Sequence, residues 1–495
     1  MSFVSTAFIT FAIICIAGYY LIPKQYQWVW LLVFSYIYYL AAGPAYVFFL
    51  LFSTAITFFG GLRAEMGSKA AVPVVLLLDF GALAFVKYTN FVLGSFAGIL
   101  GREFRELKIL LPLGISFYTF QTAGYLLDVY WKRCKAERSF PRFMLFASFF
   151  PQIMQGPISR YGQLAGQLYA EHDLDLRRIE GGMYRIAWGF FKKMVIADNA
   201  ALYVSAVFDQ YTTLRGYGLL GVLMYSAQLY ADFSGGIDIV IGIAECLGIT
   251  LAENFRQPFF ATSIGDFWHR WHITLGTWMK DYVFYPISLS NWMGSFGKWC
   301  RKRLGKNVGR AMPICVGNII VFLIVGIWHG PAWHYIVYGL YNGLIIGISG
   351  LLAKNFRDWK KRLKINDKAA GFHMFQIIRT FVLVNISWYL DCSGSVGQAL
   401  MMFKDSILRF KFSINVIDAA DTWSGSQAVT FACIVFGCLV VFVHSLLAEC
   451  GVDVRDAILA RPVPVRGAVL FLLLASLVLI GNQPLSVGGF IYANF

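Results

Sequence analysis

Long runs without a single charged residue alternate with short, strongly basic segments along this chain. The uncharged runs are Phe3 to Ile22, Gln25 to Leu62, Ile109 to Leu127, Ala311 to Trp328, Tyr335 to Ala353, Ala428 to Val443 and Gly467 to Phe495. A helix that crosses a bilayer needs about 20 mostly apolar residues, so several of these runs predict spans. Gln25 to Leu62 is long enough for two, and Gly43-Pro44 predicts the turn between them, because proline removes a backbone donor and fixes φ. With the more interrupted apolar segments added, the pattern predicts about 11–13 transmembrane or re-entrant helices. The fold class expected is therefore all-α and polytopic. Phe143 to Ser159 is also uncharged but carries Pro151, Gly156 and Pro157, which predicts broken backbone. At membrane depth such backbone is tolerated only where protein or a watery cavity satisfies it.

Two basic segments orient the chain. Lys298, Arg301, Lys302, Arg303, Lys306 and Arg310 form the first, and Lys354, Arg357, Lys360, Lys361, Arg362 and Lys364 the second. Read as loops, both belong on the cytoplasmic side by the positive-inside rule. A pair of helices between them returns the chain to its starting side, which puts His329 and His334 in the intervening turn, away from the cytoplasm. One membrane domain over residues 1–392, with its core at about 109–353, a connector over 393–427 and C-terminal membrane helices over 428–495 is the simplest division. The first basic residue is Lys24, after an uncharged run with no clear cleavage site, so the N-terminal segment is expected to remain as a membrane helix.

Composition agrees. Apolar residues make up 58% and charged residues 14%, against about 25% charged in a soluble domain. The excess of Lys and Arg gives a net charge of +15, which suits loops facing anionic lipid and needs no nucleic-acid partner. The nine cysteines show no Cys-x-x-Cys spacing and read as small apolar residues rather than ligands or disulfides.

Four of the seven histidines fall between 269 and 334. His329 ends an apolar stretch in Gly326-Ile-Trp-His329-Gly-Pro-Ala-Trp-His334. An ionisable group at membrane depth is costly enough to suggest function, and a neutral imidazole can take a proton from a hydroxyl. The competing expectation is an interfacial belt formed by Trp328, His329, Trp333 and His334. In Asp266-Phe-Trp-His269-Arg-Trp-His272 the two histidines are three apart and share a face if the segment is one helix. Histidines with Asp266 and Asp281 also admit a metal site, but no His-Glu-x-x-His motif supports it, and no metal is expected. A third cluster, Tyr230-Ala-Asp232-Phe-Ser234-Gly235-Gly236-Ile-Asp238, sets two acids in an apolar stretch. There the paired glycines allow a helix break or a close backbone approach, and the acids serve either a polar cavity or structural support.

Six ordered motifs carry a resemblance. They are Pro112-Leu-Gly-Ile-Ser-Phe117, Phe149-Phe-Pro-Gln-Ile-Met-Gln-Gly-Pro157, Asp232-Phe-Ser-Gly235 with Asp238, Glu253-Asn-Phe255 with Pro258, Asp266-Phe-Trp followed by Arg270-Trp-His-Ile-Thr-Leu275, and Trp328-His-Gly330. Together they resemble the membrane-bound O-acyltransferase family, in its bacterial branch of alginate O-acetyltransferases and teichoic-acid D-alanyl transfer proteins. The resemblance implies a helical bundle with a central funnel, with His329 in the Trp-His-Gly setting and His272 in the Arg-Trp-His setting as catalytic residues. Asp232, Ser234, Asp238, Trp268, Arg270, Trp328, His334 and Asn342 are the accompanying substrate-binding candidates, and His334 and Asn342 are placed to line the acceptor side.

Acyl transfer from a cytoplasmic thioester is the expected activity. The donor is acetyl-CoA or an acyl-carrier protein acting as co-substrate, no cofactor is held, and the expected partners are membrane lipids with a cell-envelope polysaccharide acceptor or an extracytoplasmic transferase. His329 is the expected general base, and His272 polarises the carbonyl or orients the donor. D-alanyl transfer to teichoic acid is the nearest alternative. A proton-coupled transporter or flippase, and a scaffold that hands the acyl group to a separate transferase, are rivals of other classes. The expected location is the bacterial plasma membrane, crossed many times.

Overall fold

The computed structural model describes residues 4–481 and 490. Among the described residues the architecture is all-helical, as expected, with one isolated β-bridge between Phe255 and Trp271. Four helices are long and apolar enough to cross a membrane: Pro44–Glu65, Ala71–Ile99, Asn291–His329 and Gln427–Glu449. A fifth candidate is the pair Trp333–Leu351 and Ala353–Arg362, bent by 59°. Shorter apolar helices are Thr6–Leu21 and Val463–Leu479, and further helices, among them Gly218–Cys246 and Ala370–Cys392, carry other parts of the apolar pattern. The expected C-terminal run lies partly outside the described residues.

The chain divides into two compact units: residues 1–200, 227–252 and 419–495 in one, and 201–226 and 253–418 in the other. In the first, Gly43 separates the helices Gln27–Ala42 and Pro44–Glu65 at the turn the sequence predicts, with Pro44 at the first helical position, where its missing N–H costs nothing. Helix Phe140–Ser148 stops where Phe149 begins the broken segment. Side chains satisfy that irregular backbone and its amides. Ser35 accepts from the Phe150 N–H at 3.1 Å, Gln121 donates to the Phe146 carbonyl at 2.7 Å, and Gln152 links Gln121 at 3.2 Å to Ser159 at 2.8 Å. Gly114 has φ +70°, and a Cβ there would lie 2.1 Å from the Ile153 carbonyl oxygen. Only glycine lets the Pro112–Phe117 motif meet the Phe149–Pro157 motif.

The same unit holds the acidic cluster. Helix Gly218–Cys246 runs unbroken through Gly235 and Gly236, so of the two expectations for these glycines the break is not realised and the close approach is. A Cβ on Gly235 would lie 2.8 Å from the Gly189 carbonyl oxygen, and one on Gly242 2.7 Å from that of Gly182. Glycines seven apart on each helix therefore form two backbone-to-backbone contacts. A π-helical turn, Phe191–Ala197, continues the opposing helix and delivers Lys192 and Lys193 to the acids.

In the second unit the two basic segments are helical rather than loops. The first lies within Asn291–His329, which turns sharply at Gly305 (φ 76°, ψ 172°), and most of the second forms Ala353–Arg362. Arg and Lys are good helix formers, so a run of basic residues does not by itself mean a loop. Beyond Gly305 the helix pairs with Trp333–Leu351 through Gly339, Gly343 and Gly347, small residues at i, i+4 and i+8 that let helices approach closely. A Cβ on Gly339 would sit 2.3 Å from the Phe322 carbonyl oxygen, and one on Gly343 3.0 Å from the Ile319 Cα. Backbone cannot yield as a side-chain tip can. Gly339→Ala is expected to cost about 1–3 kcal/mol and Gly343→Ala less, read as the thermal midpoint of the detergent-solubilised protein. Equal midpoints for both variants and the parent would show that this pair does not set the stability.

Candidate active site

The site is assembled in the second unit around the turn between these two helices. His329 is the last residue of its helix, Gly330 leaves it in extended conformation, and His334 lies one residue inside the next. The turn expected between the two apolar stretches is present, but it is not a wet interfacial belt: His329 is only 2% exposed and His334 7%, whereas Trp333 is 59% exposed. Tyr338 packs edge-on against the His329 ring at 5.0 Å, and Trp328 at 5.3 Å. Tyr338 is backed by Trp388, stacked at 6.0 Å. The imidazole is held in an aromatic box from which bulk water is largely excluded.

His272 reaches the site by a different route from the one its spacing suggested. Helix Ile264–Arg270 ends before it, Trp271 is extended, and His272 itself is left-handed (φ 46°, ψ 53°) before helix Ile273–Met279 begins. His269 and His272 therefore do not share a helix face; His269 is exposed and His272 is 2% exposed. The break is anchored by Asn254. Its carbonyl accepts from the Ile273 N–H at 3.0 Å, and its side-chain oxygen accepts from the Thr274 N–H and hydroxyl, each at 2.9 Å. Those donors fix the amide orientation, so the same oxygen, 3.2 Å from His272 Nδ1, can only accept. His272 is thus the Nδ1–H tautomer with the lone pair on Nε2. Burial first, and the neighbouring His329 second, push its pKa down to about 3. It is neutral at any physiological pH. Trp328 lies between the two histidines in sequence of contact, its ring 5.7 Å from that of His272.

The other candidates divide clearly. Trp268 donates from Nε1 to the Asn342 side-chain oxygen at 3.1 Å, and Asn342 donates back to the Tyr338 carbonyl at 3.0 Å, so both brace the wall of the box. His334 Nδ1 lies 2.8 Å from the Leu390 carbonyl, an acceptor only, which fixes this ring too as the Nδ1–H tautomer. Arg270 is engaged with Asp266 at 3.0 Å, and Asp266 caps the Thr262 N–H at 3.0 Å, a local brace for the short helix.

Asp232, Ser234 and Asp238 belong to the other unit and are held by cations. Lys193 Nζ is 2.7 Å from Asp232 and 2.8 Å from Asp198. Lys192 Nζ is 2.5 Å from Asp238 and donates to the Ser234 hydroxyl at 2.9 Å, and Arg185 completes the cluster 3.1 Å from Asp238. Asp238 is kept ionised by these two cations, and the arrangement has the mutual pairing of buried structural charge.

Sequence reasoning missed Asp391. Its carboxylate, with a side chain 1% exposed, lies 3.2 Å from His329 Nδ1, and its second oxygen accepts from the Tyr225 hydroxyl at 2.7 Å. The available signal was a lone acid closing the apolar helix Ala370–Cys392, which is as costly a placement as that of His329.

These features define a multi-helix membrane protein built around buried imidazoles, one of them with a carboxylate behind it. A profile of the membrane-bound O-acyltransferase family matches residues 137–387. A probable alginate O-acetylase of Pseudomonas syringae is 33% identical over 81% of this chain and 74% of its own length. A peptidoglycan O-acetyltransferase of Helicobacter pylori is 31% identical over 78% and 74%, and a teichoic acid D-alanyltransferase of Bacillus subtilis 30% identical over 56% and 68%. The chain belongs to the membrane-bound O-acyltransferase family. It is an O-acyltransferase and a multi-pass protein of the bacterial cell membrane, which sets the transporter alternative aside.

Proposed function

We propose that the chain transfers an acyl group, acetyl in the first instance, from a cytoplasmic thioester to a hydroxyl of a cell-envelope polysaccharide or of a partner acetyltransferase, with His329 as the general base. The observation that carries this is the buried imidazole of His329 at a helix end, with one ring nitrogen facing a carboxylate. A proton on Nδ1, turned to that carboxylate, leaves the lone pair on Nε2. Nε2 takes the proton of the acceptor hydroxyl as the oxygen bonds to the thioester carbonyl carbon; the carbon–sulfur bond breaks, and the imidazolium returns the proton to the departing thiolate. A donor of this kind, acetyl-CoA or an acyl-carrier protein, is also open to hydrolysis, and the aromatic enclosure limits that loss.

For His272 the tautomer favours one of the two roles expected. A neutral imidazole with its Nδ1–H given to Asn254 has no proton at Nε2 with which to polarise a carbonyl. It accepts a hydrogen bond, so it orients an N–H or O–H group of donor or acceptor. Acetyl is favoured over D-alanyl because the acetyl-transferring relatives align over more of the chain than the D-alanyl-transferring ones, 81% and 78% against 56% and 66%.

The test is transfer itself. Membrane vesicles from cells expressing the chain, given labelled acetyl-CoA, are expected to accumulate alkali-labile label in envelope material above vesicles lacking it. Label that appears only when a D-alanyl-loaded carrier protein is supplied would replace acetyl by D-alanyl, and no ester from either donor would overturn the proposed donors.

A further inference from the structure

Behind the histidine lies the carboxylate that faces its ring nitrogen. Asp391 closes helix Ala370–Cys392 with its side chain 1% exposed. One of its oxygens lies 3.2 Å from His329 Nδ1 and the other accepts the Tyr225 hydroxyl at 2.7 Å. Tyr225 is itself buried and packs edge-on against Trp388 at 6.0 Å, and the same Trp388 backs Tyr338 against the His329 ring. The adjoining backbone is fixed as well, since the Leu390 carbonyl accepts from His334 Nδ1 at 2.8 Å. The carboxylate is thus held from both sides while one oxygen faces the imidazole.

We propose that Asp391, oriented by Tyr225, is the positioning residue that fixes His329 as the Nδ1–H tautomer and stabilises the imidazolium formed during acyl transfer. This rests on His329 being the base. A carboxylate accepts, so a proton on Nδ1 is the one this contact can hold, and it leaves the lone pair on Nε2. The His329–Asp391 contact has the length of a hydrogen bond without its full alignment. Such contacts commonly straighten when substrate binds. A positive charge forming on the ring meets its counter-charge in Asp391; among the described residues the other titratable groups that face this pair are Tyr225, Tyr335, Tyr338, Cys392, His334 and His272, none of them an anion at neutral pH.

Asp391→Asn and Tyr225→Phe separate positioning from packing. Acetyl transfer is measured in vesicles with labelled acetyl-CoA as above, across pH, alongside the thermal midpoint. Asp391→Asn is expected to lower kcat by about 10²-fold or more, with the KM for acetyl-CoA within about 3-fold, and to move the acidic arm of the rate profile to lower pH because the imidazolium loses its counter-charge. Tyr225→Phe leaves the carboxylate but removes its donor; it is expected to cost about 10-fold and to move the same arm to higher pH. Opposite displacements are a signature that loosened packing does not produce. Parent-like kcat in Asp391→Asn, or a loss with the acidic arm unmoved in both variants, overturns the inference. Should His329→Gln keep full transfer, the base assignment fails instead, and should His329→Gln be inactive while Asp391→Asn is parent-like, only the positioning role fails. If Asp391→Asn does not accumulate, Tyr225→Phe alone decides by the direction of its arm.

Discussion

His329→Gln is expected to insert and fold as the parent does and to transfer acetyl at least about 10²- to 10⁴-fold more slowly. Glutamine matches the imidazole roughly in volume and polarity and can donate to Asp391, so the wall made by Trp328 and Tyr338 keeps a neighbour and the buried carboxylate keeps a partner. What it lacks is a basic nitrogen. Alanine would also leave a cavity beside Asp391 and strand its charge, so a loss in His329→Ala alone would mix chemistry with destabilisation. The measurement is the initial rate of alkali-labile label in vesicles, normalised to the amount of folded protein eluting as a single species from size exclusion. A glutamine variant within threefold of the parent would mean that another group removes the proton. His272 would be the next candidate, because its Nε2 lone pair also lies in the buried site and its ring is held neutral.

The parts of the site legible in the sequence are those whose physics is local. An uncharged run before His329, a glycine and proline after it and a second apolar run imply a helix, a turn and a helix, and the structure has them. His272 was found by motif, but its conformation was not: a spacing of three places two residues on one face only if the helix continues, and Asn254, eighteen positions earlier, interrupts it by capturing the Ile273 and Thr274 amides. Asp391 lies sixty-two positions beyond His329 and acquires meaning only from a tertiary contact. The basic segments show the same limit. Their charge does not reveal that they are helical, and the sharp turn at Gly305 depends on one left-handed residue within an otherwise helical stretch. Long-range partners cannot be read from periodicity, and they decide tautomer, orientation and pairing here.

Lys193→Met is expected to lower the stability of the solubilised protein by about 3–5 kcal/mol, the penalty for removing one partner of a buried ion pair. Lys193 is 2% exposed and its ammonium serves two acids, Asp232 at 2.7 Å and Asp198 at 2.8 Å, with Asp232 itself 1% exposed. Methionine fills most of the stem volume, so the loss is charge and not a cavity. Adding Asp232→Asn to Lys193→Met removes one of the two stranded acids, and the double variant is expected to regain roughly half of the lost stability. Heating followed by size exclusion measures all three proteins. Asp232 stood in the sequence as a candidate for substrate binding or for structural support, and these variants distinguish the two. A structural acid makes Asp232→Asn costly while Lys193 is present and helpful once it is gone. A substrate-binding acid would instead raise the KM in Asp232→Asn at an unchanged thermal midpoint, and that result would return the cluster to the substrate path.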